Sequence, residues 1–116
     1  ISLTALKEAF YGEFSDRLLL VDYDLLAQFP EKTMQLIYEF TGVVNYTHDF
    51  ENVDYSHDEF DYSLGVKGLH TIAKKVEFKQ RRSILPPDLF QKYSEMAFWK
   101  DTAGSSANVI ASKDNQ

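Results

Sequence analysis

Apolar residues recur at Leu3, Leu6, Ala9, Phe10 and Phe14, the spacing of one face of a helix, with Ser2 or Thr4 placed to cap it. The pattern predicts about three turns ending near Gly12. It then changes character. Residues 17–22, Arg-Leu-Leu-Leu-Val-Asp, form a short and nearly continuous apolar run. Such a run suits a strand buried on both faces, as in a parallel sheet covered by helices. Tyr23 and Asp24 follow at its C-terminal end, where open α/β sheets place their ligands. Residues 23–28 fit a short helical turn. Pro30 opens a second helix, because its missing N–H costs nothing in a first turn. Met34, Ile37, Tyr38 and Phe40 supply the apolar stripe of that helix, Glu31 suits its positive end, and Gly42 is its expected stop.

From Val43 to Leu64 the pattern is irregular, acidic and aromatic, and reads as a long surface excursion. Residues 65–82 carry two glycines and the basic cluster, with Leu69, Ile72 and Val76 as candidate anchors. Pro86, Pro87 and Asp88 start a last helix, in which Leu89, Phe90, Tyr93, Met96, Ala97 and Trp99 cover a wide apolar face. Beyond Lys100 the chain is small and polar, a tail expected to be mobile unless a partner holds it. The expected organisation is one domain portion over 1–100 and a flexible tail over 101–116. One strand alone leaves backbone groups unsatisfied. Either strands lie hidden between Asn45 and Ile72, or the sheet lies outside this chain, and the second is the expectation.

Composition changes this picture little. The chain has 116 residues, 44% of them hydrophobic and 15% aromatic, enough for a core. No run approaches the ~18 apolar residues of a membrane span, and the N-terminal stretch lacks the apolar centre of a signal peptide. The absence of cysteine excludes a disulfide framework and thiol catalysis. A cytoplasmic location and no membrane partner are the corresponding expectations. The first residue is not Met, as expected if the numbering begins inside a longer protein.

Charge changes it more. The net charge of -6 argues against nucleic acid as a partner. Yet the charges are segregated. Asp49, Glu51, Asp54, Asp58, Glu59 and Asp61 fall in one stretch, and Lys67, Lys74, Lys75, Lys79, Arg81 and Arg82 in the next, opposed there only by Glu77. Half of the 12 basic residues thus lie between positions 67 and 82. That is either a solvated face balanced by its acidic neighbour or an anion site.

The run Leu18-Leu-Leu-Val-Asp-Tyr-Asp-Leu-Leu-Ala-Gln-Phe-Pro-Glu31, continuing into Leu36-Ile-Tyr-Glu-Phe-Thr-Gly-Val43, resembles the sulfotransferase family. There an apolar strand leads into a Tyr-containing acidic turn and a Pro-Glu that opens a helix ending in Phe-Leu-Gly. Here the turn is one residue short, and Thr41 stands where Leu is usual. Gly68-Leu-His-Thr-Ile72, Lys75-Val-Glu77, Ile84-Leu-Pro-Pro-Asp-Leu-Phe90 and Phe98-Trp99 are similar to the ending of a bacterial subgroup, so the resemblance covers residues 3 to 99. It implies the C-terminal part of an α/β fold of the P-loop sulfotransferase type, mostly helical when isolated. It also implies transfer of a sulfuryl group from 3′-phosphoadenosine 5′-phosphosulfate to a hydroxyl or amine of a small-molecule or glycan acceptor, without a metal. The phosphate-binding loop of such enzymes is missing here, so the chain alone is expected to be inactive.

What the resemblance implies for individual residues follows from position. Tyr23 would pack near the donor's adenine; its other reading is a core tyrosine closing the sheet. Lys67, Gly68, Lys79, Arg81 and Arg82 correspond to the basic loop that closes over the 3′-phosphate, since guanidinium forks and ammonium groups suit a phosphate dianion. His70 is the candidate base, or else a structural histidine. His48 and His57 sit among acids, but their spacing matches no metal motif. Phe98 and Trp99 read as core closure. The competing reading is a non-catalytic interaction module with acidic and basic binding surfaces. An isolated copy is expected to self-associate through the edge of the strand at 18–21.

Overall fold

The computed structural model describes residues 2–54, 58–69 and 72–112. These form two compact units divided inside a short helix: residues 1–26 with 79–116, and residues 27–78.

In the first unit, helix α1 (Ser2–Phe10) carries the expected apolar face and ends at Phe10, which is completely buried. A turn of 3-10 helix over Ser15–Arg17 leads into strand β1 (Leu19–Val21). Helix α2 (Tyr23–Gln28) starts two residues after β1. Strand β2 (Asn108–Ile110) pairs with β1 in parallel, setting Leu19 opposite Asn108, Leu20 opposite Val109 and Val21 opposite Ile110. The pairing is flanked by Asn108 N–H donating to the Leu18 carbonyl at 3.0 Å and Asp22 N–H donating to the Ile110 carbonyl at 2.9 Å.

The chain therefore combines helices with a two-stranded parallel sheet, an α/β arrangement. Two expectations change here. The neighbour of β1 lies within the chain, and residues 108–110 of the expected mobile tail are that neighbour. The reason is local: Val109 and Ile110 are a β-branched pair between small residues, half-buried once paired. The strap that carries them is tied down by polar contacts. Ser105 Oγ donates to the Phe10 carbonyl, Ser106 N–H donates to Ser15 Oγ at 3.1 Å, and Tyr11 OH donates to the Asp101 carbonyl at 2.9 Å.

Helix α5 (Pro87–Ser94) begins at the expected prolines but stops short of the expected Trp99, which lies instead in a separate 3-10 turn, Phe98–Lys100. Ser94 Oγ bonds back to the Phe90 carbonyl at 2.7 Å, a bond that competes with helix continuation. No residue of α5 is buried. Phe98 packs edge-on against Phe10, with ring centroids 5.4 Å apart, so its reading as core closure holds.

In the second unit, α3 (Pro30–Thr41) has proline in its first turn and ends on Gly42, whose φ of 71° accepts the left-handed cap and whose N–H bonds the Tyr38 carbonyl at 2.9 Å. The surface excursion contains an additional helix, α4 (Asp58–Ser63), whose Asp58, Glu59 and Asp61 suit the positive end of a helix. The excursion and the basic segment meet. Val53 N–H donates to the Lys74 carbonyl at 2.6 Å, Val76 N–H to the Phe50 carbonyl at 2.8 Å, and Lys75 Nζ pairs with Glu51 at 3.1 Å. No helix among the described residues is long and apolar enough to cross a membrane.

Candidate functional site

The end of β1 is where the first unit gathers its chemistry. After Val21 the chain must leave the sheet, and Asp22 directs the exit. Its main-chain N–H still bonds β2, its side-chain Oδ1 accepts the Asp24 N–H at 2.8 Å, and its carbonyl accepts the Leu26 N–H at 3.1 Å. Those bonds start α2 at Tyr23 and leave the tyrosine ring 61% exposed.

Arg81 meets that ring. Its Nη2 donates to the Tyr23 hydroxyl at 2.9 Å, and its guanidinium carbon lies 5.1 Å from the ring centroid. The guanidinium thus sits toward the hydroxyl end of the ring. A cation held over an exposed aromatic ring gains about 0.5–1 kcal/mol, which narrows the freedom of a long side chain. A guanidinium has five N–H donors, and the tyrosine hydroxyl takes one. The remaining donors suit an anion with two or more acceptor oxygens.

Beside the pair lies a cavity of about 370 Å³ at the C-terminal ends of the two parallel strands. Leu20, Val21, Val109 and Ile110 supply its sheet wall, Leu6 and Trp99 its side, and Asp22, Tyr23 and Ala111 the strand ends. The walls are largely apolar, with one carboxylate. A flat ring with an N–H aimed at Asp22, and an anionic group reaching Arg81, has the chemistry that this arrangement accommodates.

The residues singled out from sequence fall in different places. Tyr23 and Arg81, separated by 58 positions, are brought together. Lys79 and Arg82 flank Arg81 in the same unit and are exposed. Lys67 and Gly68 belong to the second unit, where Gly68 adopts a φ of 73°, and they are no part of the Tyr23–Arg81 pair. His70 and His57 lie outside the described residues. His48 stacks on Tyr38 in the second unit, and its Nε2 is 2.6 Å from the tyrosine hydroxyl.

Sequence reasoning gave Asp22, Trp99 and residues 109–111 no place in a site. Asp22 carried a signal, since it sits at the C-terminal end of the apolar run. Trp99 departs from the core closure expected of it together with Phe98: Phe98 faces Phe10, whereas Trp99 lines the cavity. The chain matches no family model, no curated protein and no solved structure.

Proposed function

We propose that this chain is the C-terminal part of a sulfotransferase and forms one wall of the site for 3′-phosphoadenosine 5′-phosphosulfate. The observation that carries the reading is the Tyr23–Arg81 pair. Two residues assigned to the donor on separate stretches of sequence, one to its base and one to its phosphate, lie within a hydrogen bond of each other at the end of a parallel strand. The apolar cavity beside them has a volume suited to a planar base, within the ~300–1,000 Å³ of small-molecule pockets.

In this reading the chain binds and orients. Tyr23 and Trp99 border the base, Asp22 accepts an N–H from it, and Arg81, with Arg82 and Lys79 nearby, neutralises the 3′-phosphate. Fixed cations beside a transferring sulfuryl group stabilise the charge that develops on it, but the group that would move it is supplied by residues beyond those of this wall. The chain alone is inactive in transfer.

Adenosine 3′,5′-bisphosphate, followed by calorimetry, is the test. A charge-assisted hydrogen bond contributes about 1.5–3 kcal/mol, so Arg81→Ala is expected to weaken binding roughly 10- to 150-fold. An unchanged affinity in Arg81→Ala, or no binding by the unaltered chain, refutes the reading. The alternative of a non-catalytic interaction module is favoured by α5, where Leu89, Phe90 and Tyr93 bury nothing fully in this chain. It predicts that the chain ignores the nucleotide.

A further inference from the structure

Three of the residues lining the cavity, Val109, Ile110 and Ala111, come from the strap that follows Lys100. The strap's attachments are few and mostly polar. Among the described residues they comprise the three-residue pairing with β1, the Ser105 and Ser106 contacts, and Asn108 Nδ2 donating to the Asp16 carbonyl at 3.5 Å, while the Tyr11 hydroxyl holds Asp101 at the root of the strap at 2.9 Å. Its apolar anchors, Val109 and Ile110, are only half-buried. A segment with little buried apolar surface and short hydrogen-bonded runs opens at lower free energy than the core it rests on. Residues 102–105 also contain a turn, with Ser105 N–H bonded to the Thr102 carbonyl at 3.1 Å and Gly104 at a φ of 79° with open space where a side chain would be.

We propose that residues 102–111 are a displaceable strap that gates the cavity: undocking about Gly104 removes one wall and unpairs β1, while redocking closes the cavity around a bound molecule. The inference deepens the donor-site reading by giving that site a means of regulation, and its ligand arm rests on that reading. A ligand that touches Val109–Ala111 binds the docked state only, so occupancy and docking favour each other. The strap thereby couples the C-terminal end of the chain to the chemistry at Tyr23.

The test is native-state amide hydrogen exchange on the full chain, combined with acrylamide quenching of Trp99, the single tryptophan. The expected result is that Val109 and Ile110 amides exchange faster than those of α1, through an opening insensitive to denaturant. A net hydrogen bond is equivalent to about a fivefold change in an opening equilibrium. Ser15→Ala, which removes the acceptor of the Ser106 N–H, and Ser105→Ala are therefore each expected to speed β2 exchange about fivefold and to raise Trp99 quenching, with α1 unchanged. If β2 and α1 exchange at one rate, in the unaltered chain and in both variants, the strap opens only with the whole unit and the proposal is overturned. Should a variant fail to fold, the unaltered chain at increasing denaturant decides the same question.

Adenosine 3′,5′-bisphosphate is the ligand probe. Binding that slows β2 exchange supports both readings. Binding seen at Trp99 without any slowing of β2 overturns gating alone. No binding at all overturns the donor-site reading alone, and gating is then decided by the exchange comparison.

Discussion

Replacing Phe10 with alanine tests whether the first unit is held together where the structure locates its centre. The side chain is 0% exposed, and its ring meets Tyr11 at 5.0 Å and Phe98 at 5.4 Å, both edge-on. Truncating a fully buried phenylalanine costs about 3–5 kcal/mol, the sum of lost transfer energy and the cavity left behind. Here the void is walled by the 38%-exposed Tyr11 and by half-buried Phe98, so the walls can shift and water can enter. The cost therefore belongs at the lower end, about 3 kcal/mol. With a urea slope of about 1.5 kcal/mol/M, the midpoint falls by about 2 M. Trp99 is the reporter, being in the same unit and 5.2 Å from the Phe98 ring. Phe10→Leu, which keeps most of the apolar volume, is expected to cost about 1 kcal/mol and supplies the scale if the alanine variant is unfolded in water. The backbone carbonyl that accepts from Ser105 is retained in both variants, so a change reports the side chain. A midpoint shift below about 0.5 M in Phe10→Ala refutes the assignment of this residue as the unit's centre.

Two further outcomes follow from the second unit. Gly42→Ala meets no atom within 4 Å but must hold a φ of 71°, so its cost is backbone strain alone, about 1 kcal/mol, read as faster amide exchange over the last turn of α3; an unchanged rate argues that the cap is dispensable. The Lys75 amine is held above its ordinary 10.5 by its hydrogen bond to Glu51 and by that carboxylate's charge, with Glu77 adding and desolvation opposing. Because the folded value is raised, the pair's stabilisation is complete below the unfolded lysine's pKa and disappears as pH rises through the folded one. Glu51→Gln is expected to lower the Lys75 Nζ titration midpoint measured by NMR, and high salt to do the same in part. A midpoint indifferent to Glu51 refutes the pairing.

The elements that rest on local chemistry could be read from the sequence. Pro30 and Gly42 bound α3 because a missing N–H and a left-handed φ are properties of single residues. The α1 stripe and the β1 run needed only periodicity. What could not be read was partnership. β2 is three residues long, and nothing in residues 107–111 announces that they lie beside residues 19–21, more than 80 positions away. The same limit hid the cavity, since Trp99 and Ile110 reach it from segments that look like core closure and tail. It also hid the end of α5, where an apolar face invited a longer helix than the chain forms. Tyr23 and Arg81 were each visible as candidates, for reasons of position and charge. Their contact is a tertiary fact.

The basic segment shows why charge counted along a sequence overstates an anion site. Six cations between positions 67 and 82 allow either a balanced solvated face or an anion site, and the division of the chain into units falls between Phe78 and Lys79, inside this segment. On one side, Lys75 is paired with Glu51, and the backbone around it is bonded to Phe50 and Val53. That stretch is engaged with the acidic excursion, as the reading of a face balanced by its neighbour requires. On the other side, Arg81 has a phenol rather than a carboxylate as its partner. A hydroxyl orients a guanidinium without neutralising it, so the charge remains available to a ligand. In the proposed reading the anion chemistry of the first unit rests on Lys79, Arg81 and Arg82. If that reading holds, changing Lys74 and Lys75 to alanine leaves nucleotide affinity untouched while Arg81→Ala does not.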